Sequence, residues 1–185
     1  MSTTRIAVVG AGYIGQAHMA AARRGAGVSL CAVVDPSPAA KDIALKAGVP
    51  LYLSIEALLA HDRPDGLVLA TPNHLHVDQG LQCIQAQVPI LLEKPIATTA
   101  AEGEKIVDAV QLSGAKVLIG HHRAHSPIMA KAQEVVDSGQ LGQLVAVMGS
   151  AAFYKPDVYF EQGPWRRELG AGPILLNMIH EVHNL

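Results

Sequence analysis

Along the first two-thirds of the chain, short apolar runs rich in β-branched residues alternate with longer segments whose apolar positions recur every three or four residues. The first pattern is that of a buried strand and the second that of an amphipathic helix. Strands are predicted at Arg5–Val9, Ser29–Val34, Gly66–Ala70, Ile90–Leu92 and Lys116–Ile119, with a weaker one at Leu51–Leu53. Helices are predicted over Ile14–Arg24, Pro38–Ala47, Ile55–Ala60, His76–Ala86, Ala100–Ser113 and Pro127–Ser138. Two helix starts are punctuated: Ser37 or Pro38 opens the second helix, and Thr98/Thr99 ahead of Glu102 has the form of a capping box. Near-continuous apolar strands such as Leu67-Val68-Leu69-Ala70 belong to a parallel sheet covered on both faces. The alternation of strand and helix is the mark of repeated βαβ units, and the expected class is α/β with a doubly wound parallel sheet.

Past Gly142 the pattern changes to a longer strand at Leu144–Ala152, an irregular aromatic stretch Phe153–Trp165, and an apolar helix opening near Pro173. The expected division is a dinucleotide-binding domain over residues 1–122. Residues 123–185 would then supply a linker helix and the first strand and helix of an incomplete second domain. One strand and one helix cannot bury a core of their own. The helical pattern runs to Leu185 without a glycine stop signal, so the expectation is a truncated chain.

Composition narrows the function classes. Of 185 residues half are hydrophobic and 16% are charged, which excludes a disordered chain. A net charge of −2 excludes nucleic acid as a partner, since that requires basic stripes to replace counterions. The uncharged run Ser138–Tyr154 carries two Gln and three Gly and falls short of a membrane span, so no membrane partner is expected. Cys31 and Cys83 are far apart and form no CxxC, which suggests neither a disulfide framework nor a thiolate metal site. Arg5 is followed by an apolar run that reaches a glycine turn within five residues, too early for a secretory signal. A soluble cytoplasmic protein is expected.

Candidate chemistry sits where strands end. Gly10-Ala11-Gly12-Tyr13-Ile14-Gly15 follows a strand and opens a helix, the setting of a Rossmann fingerprint. The first Gly permits the tight turn, the second lets a pyrophosphate approach the backbone, and the third allows close helix–strand packing. Asp35 lies 20 residues beyond Gly15 at the end of the second strand, where a carboxylate accepts hydrogen bonds from ribose hydroxyls and repels a 2′-phosphate. NAD is therefore favoured as cofactor, with NADP not excluded. Thr71-Pro72-Asn73-His74-Leu75-His76 ends a further strand at the same edge, and alone could equally be helix-entry chemistry with Asn73 as cap. Glu93-Lys94-Pro95 ends the next, where a lysine could polarise a substrate oxygen or simply form a solvated ion pair. His180 and His183 share a helix face at a spacing that is not that of a zinc helix, and with no third ligand evident no metal is expected. A single imidazole makes a better general base. His121, His122 and His125 cluster after the last strand of the first domain, and Trp165, Arg166 and Arg167 precede the final helix.

With these residues in place the chain resembles the glucose–fructose oxidoreductase / inositol dehydrogenase / MocA family, written Gfo/Idh/MocA. The resemblance rests on Gly10–Gly15, Asp35, Thr71-Pro72-Asn73 with His76, Glu93-Lys94-Pro95, Gly120–Pro127, and the Gly172-Pro173 helix bearing His180. It implies a Rossmann domain followed by an α/β substrate domain. The implied activity is hydride transfer between a sugar, inositol or related hydroxyl compound and a nicotinamide cofactor. By that resemblance Lys94 and His180 are the catalytic residues. Cofactor contacts fall to Gly10, Gly12, Tyr13, Ile14, Gly15, Asp35, Thr71, Pro72, Asn73, His76, Glu93 and Lys94. Substrate contacts fall to Lys94, His122, Arg123, Trp165, Arg166, Asn177 and His180. The implied partner is a small polyhydroxylated molecule, and a homo-oligomer is implied for a full-length relative rather than for a truncated chain.

Two positions depart from the family pattern: Leu176 replaces a common Asp four residues before the histidine, and His183 replaces a common Asp three residues after it. Both changes remove a carboxylate from the expected site. Two other functions share these motifs: a non-catalytic NAD-binding sensor or regulator of the same fold, and an NAD-dependent redox-assisted glycosidase. The presence of Lys94 weighs against the sensor.

Overall fold

Six strands form in the first part of the chain: β1 (Thr4–Val9), β2 (Val28–Val34), β3 (Leu51–Tyr52), β4 (Gly66–Leu69), β5 (Ile90–Leu92) and β6 (Val117–Ile119). In this computed structural model, which describes residues 3–184, they pair in the order β3-β2-β1-β4-β5-β6. Every pairing is parallel. The expected doubly wound sheet is the one observed. Five helices connect the strands: α1 (Tyr13–Arg24), α2 (Ala40–Ala47), α3 (Ile55–His61), α4 (His76–Gln85) and α5 (Ala100–Ser113).

The two-residue alternation of the strands builds two cores. Ala7 and Val9 of β1, Ala32 and Val34 of β2, and Leu67 and Leu69 of β4 face one side, against Ile55 and Leu58 of α3 and Cys83 of α4. Val8, Val33 and Val68 face the other, against Met19 of α1 and Ala40 and Ala44 of α2. Each large apolar side chain so enclosed contributes about 1.5–3 kcal/mol. Helix α5 packs on α4 through Val77, Ile84 and Ile106. Its start carries the expected cap, with Thr99 Oγ1 accepting from the Glu102 N–H at 3.3 Å. Helix α2 begins later than expected, because the Ser37 amide is taken by Asp35 and Ser37–Ala40 closes a turn before the helix.

The chain runs outward from β1 to β2 and β3, then crosses back to β4 and continues to β5 and β6 on the other side. The order reverses between β1 and β4. A crevice opens beyond the strand ends at such a reversal, and there an α/β sheet holds its ligand.

The chain divides into two units, Met1–Ile119 and Gly120–Leu185. The second holds α6 (Pro127–Asp137), capped by Ser126, and the short helices α7 (Asp157–Glu161) and α8 (Ile179–His183). Helix α8 is entered through a wide π-helical turn at Ile174–Met178. The strand expected at Leu144–Ala152 does not form. A strand exists only through a partner's backbone, and among the described residues no segment pairs with this one. Its Val145 and Met148 are almost fully exposed. Among the described residues no helix is long and apolar enough to cross a membrane.

Candidate functional site

At the end of β1, Gly10 takes a φ of +93°, and a Cβ there would stand 2.6 Å from the Ala70 carbonyl oxygen. A Cβ on Gly15 would stand 1.8 Å from the Gly10 carbonyl oxygen. Packing within the chain thus demands glycine at both places. At Gly12 a Cβ would meet nothing within 4 Å, so the chain's own packing does not require glycine there. Gly12 is also the N-cap of α1 and offers no side-chain oxygen to the first amides of the helix. Bare amides at the positive end of a helix are a ready site for a pyrophosphate, and the glycine backbone leaves room for one. Tyr13 and Ile14 follow on the exposed side of the turn.

Asp35 follows Val34 at the end of β2. Because Val33 faces α1, the alternation carries the Asp35 side chain to the same face, beside the glycine turn. Its Oδ2 accepts from the Ala11 N–H at 2.7 Å and its Oδ1 from the Ser37 N–H at 2.8 Å. The Gly10 N–H donates to the Val34 carbonyl at 2.8 Å. An ionised carboxylate has about four lone-pair positions, so two remain for hydroxyl donors.

The loops after β4 and β5 flank the other side of the crevice. Thr71 Oγ1 bonds Gln79 at 2.6 Å, and Asn73 is buried in the short turn that leads into α4. His76 is only 1% exposed, with Nδ1 2.7 Å from the Pro95 carbonyl oxygen and Nε2 2.9 Å from that of Thr71. It rivets the two loops together. Any influence on a ligand passes through the loops it ties, because the ring edge is enclosed. Burial lowers its pKa below the usual imidazole range, against the opposing pull of the two carbonyls.

Lys94 is half-buried and joined to Pro95 by a cis peptide bond. Glu93 bonds His18 Nε2 at 2.8 Å through Oε1 and accepts the Lys94 N–H at 3.2 Å through Oε2. Burial pushes the Glu93 carboxyl up, but His18 and the amide and ammonium of Lys94 outweigh it and hold the group below the usual carboxylate range. His18 is absent from the expected site. The signal lay in its place one turn after Gly15, on the stripe of α1 that borders the sheet.

In the second unit, His122 and His180 meet edge to face with ring centroids 5.0 Å apart. His121 stacks on His183 at 3.9 Å. Arg123 Nη1 bonds Glu181 at 2.6 Å, which ties α8 to the turn at His122–His125. Arg166 lies over the Tyr159 ring at 4.2 Å and over Trp165 at 5.5 Å, and donates to the Tyr159 carbonyl. Part of its donor fork is therefore used within the unit. Asn177, half-buried, stands in the π-helical turn before His180.

The sequence profile of an oxidoreductase family with an NAD-binding Rossmann fold, Gfo/Idh/MocA, matches residues 4–121. The chain belongs to the Gfo/Idh/MocA family. Among curated relatives of this Gfo/Idh/MocA member, the rhizopine catabolism protein MocA of Rhizobium meliloti is 32% identical over 147 residues, covering 80% of this chain and 46% of the relative. An inositol 2-dehydrogenase of Rubrobacter xylanophilus is also 32% identical over 147 residues, covering 78% of this chain and 42% of that protein. The chain spans just under half the length of these relatives. Among solved structures, the WlbA dehydrogenase of Chromobacterium violaceum in complex with NADH and UDP-GlcNAcA superposes with a TM-score of 0.88. It is 24% identical and covers 100% of this chain and 55% of its own. At that identity the likeness speaks for the fold. The family, the doubly wound Rossmann class and NAD as the family's cofactor agree with the expectations from sequence.

Proposed function

We propose that this chain binds NAD at the crevice between β1 and β4 and carries the cofactor-binding part of a dehydrogenase acting on the CH–OH group of a polyhydroxylated molecule. The observation that carries the reading is the locking of the glycine turn to Asp35 through the Ala11 N–H at 2.7 Å. The bond sets an acid for ribose hydroxyls beside bare helix amides for the pyrophosphate. The inositol 2-dehydrogenase relatives support a polyol, and the neighbour that holds UDP-GlcNAcA supports a sugar derivative.

In this proposal Gly10, Gly12, Tyr13, Ile14 and Gly15 form the phosphate turn, and Asp35 takes the ribose hydroxyls. Thr71, Pro72, Asn73 and Glu93 line the nicotinamide half. NAD, when bound, supplies the acceptor for the hydride. Within the first unit Lys94 is assigned to the substrate oxygen; within the second, by the family resemblance, His180 is assigned as proton acceptor and His122, Arg123, Trp165, Arg166 and Asn177 as substrate contacts. Leu176 and His183 stand at the two positions where the family commonly carries a carboxylate. The free thiols Cys31 and Cys83 suit a reducing compartment, the cytoplasm.

Calorimetric titration of the chain with NAD and NADP, beside Asp35→Ala, tests the reading. NAD should bind more tightly than NADP, and the variant should lose that preference. A folded chain that binds neither nucleotide would falsify it.

A further inference from the structure

The pair His18–Glu93 joins two elements that the sheet keeps apart. Helix α1, which bears His18, follows β1. Glu93 ends β5, and β4 lies between those two strands. Two strand spacings, about 10 Å, separate the strand ends, so the pair reaches over the end of β4 at the edge of the crevice. Strand alternation makes the contact: Leu91 faces the α1 side of the sheet, and Glu93, two residues on, emerges on the same side.

The contact is a built one. His18 Nε2 and Glu93 Oε1 are 2.8 Å apart with side chains only 27% and 15% exposed, and the second Glu93 oxygen accepts the backbone N–H of Lys94 at 3.2 Å. The charged and titratable groups acting on Glu93 are His18 on α1 and its neighbour Lys94, while the enclosed His76 interacts with both Glu93 and Lys94. Without His18 a largely buried carboxylate loses its only side-chain partner among the hydrogen bonds described, and such a group turns toward water or toward the nearest cation. Either movement gives up the bond that Glu93 makes to the Lys94 N–H.

We propose that His18 is a positioning residue. Carried on the phosphate-binding helix, it fixes Glu93 and through it Lys94, and so sets the nicotinamide half of the site relative to the pyrophosphate half. The inference rests on the NAD reading above. It predicts a division within one ligand: the pyrophosphate and adenosine ribose meet the glycine turn and Asp35, which His18 does not hold, while the nicotinamide end meets the loop that it does hold.

The test compares NADH with ADP-ribose, which keeps the pyrophosphate and both riboses but lacks nicotinamide, on the full chain and on His18→Ala and His18→Gln. Gln retains an N–H donor for Glu93. The expected result is a roughly tenfold loss of NADH affinity in H18A, with ADP-ribose affinity within about twofold of the parent and most of the loss recovered in H18Q. Equal losses for both ligands, or unchanged NADH binding in H18A, overturn the proposal. Should H18A fail to fold, His18→Leu fills the ring's space without a donor and serves the same comparison; if neither folds while H18Q does, His18 is a folding residue and the positioning role is wrong. A parent chain that binds ADP-ribose with no gain for NADH refutes the positioning role alone. A parent chain that binds neither removes the NAD reading and this inference with it.

Discussion

The Asp35 carboxylate and the Ala11 N–H are joined at 2.7 Å, so the acid proposed for the ribose also braces the turn proposed for the phosphates. The two roles separate on substitution. Asp35→Asn keeps an oxygen for Ala11, while the Ser37 amide, whose bond is exposed, turns to water. Asp35→Ala leaves the part-buried Ala11 N–H unpaired, at a loss of about 1–2 kcal/mol. Both variants should lose discrimination against NADP, because both lose the charge that repels a 2′-phosphate. Only the alanine variant should unfold at clearly lower urea. Equal stability of the two variants would show that the Ala11 bond does not brace the turn.

The glycines of the turn should answer alanine in opposite ways. Gly15→Ala drives a methyl into the Gly10 carbonyl, which is backbone and cannot rotate away, and the loss should be about 3 kcal/mol by urea unfolding. Gly12→Ala meets open space, so stability should stay within about 0.5 kcal/mol. Its effect should appear in NADH titration as a weakened affinity, since the added methyl stands where the pyrophosphate is proposed to approach. A Gly12→Ala chain that binds NADH as the parent does would sink the assignment of that position to the phosphate.

The parallel sheet was legible because each buried strand is a short apolar run, and because Gly10, Asp35, Thr71 and Glu93 each follow one directly. Such residues declare themselves by position alone. His18 and the enclosure of His76 were not legible, since both depend on which strand lies beside which. The spatial order β1-β4-β5 differs from the order in sequence. The stretch Leu144–Ala152 failed in the opposite sense: its alternation is real, but strand formation needs a neighbour, and residue pattern does not state whether one is present. The histidine contacts of the second unit arise between residues near 121 and residues near 180, a separation no local pattern encodes.

His76 binds the Thr71 and Pro95 carbonyls from inside the protein, and a neutral ring can donate to only one of them at a time. His76→Ala removes that bond and opens a cavity where the ring stood. The expected loss is about 2–3 kcal/mol in urea unfolding. NADH affinity should fall with it, because the loops bearing Thr71 and Lys94 are no longer tied. A variant with parent-like stability would show that the loops hold without the rivet.

Acid should weaken the fold in two separable stages. Burial lowers the His76 pKa below its ordinary 6.5, so below that pH the unfolded chain takes up a proton that the folded chain resists. Stability then declines as pH falls from 6.5 toward the folded value. Glu93 is held below its ordinary 4.5, with His18 and Lys94 overcoming burial, so its contribution is complete above 4.5 and is lost as pH falls through the folded value. Urea unfolding between pH 8 and pH 3 should therefore show one decline beginning near pH 6.5 and a further one below about pH 4.5. His76→Phe should flatten the first and leave the second, while Glu93→Gln should do the reverse. Retention of the upper decline in His76→Phe would place its origin in another group.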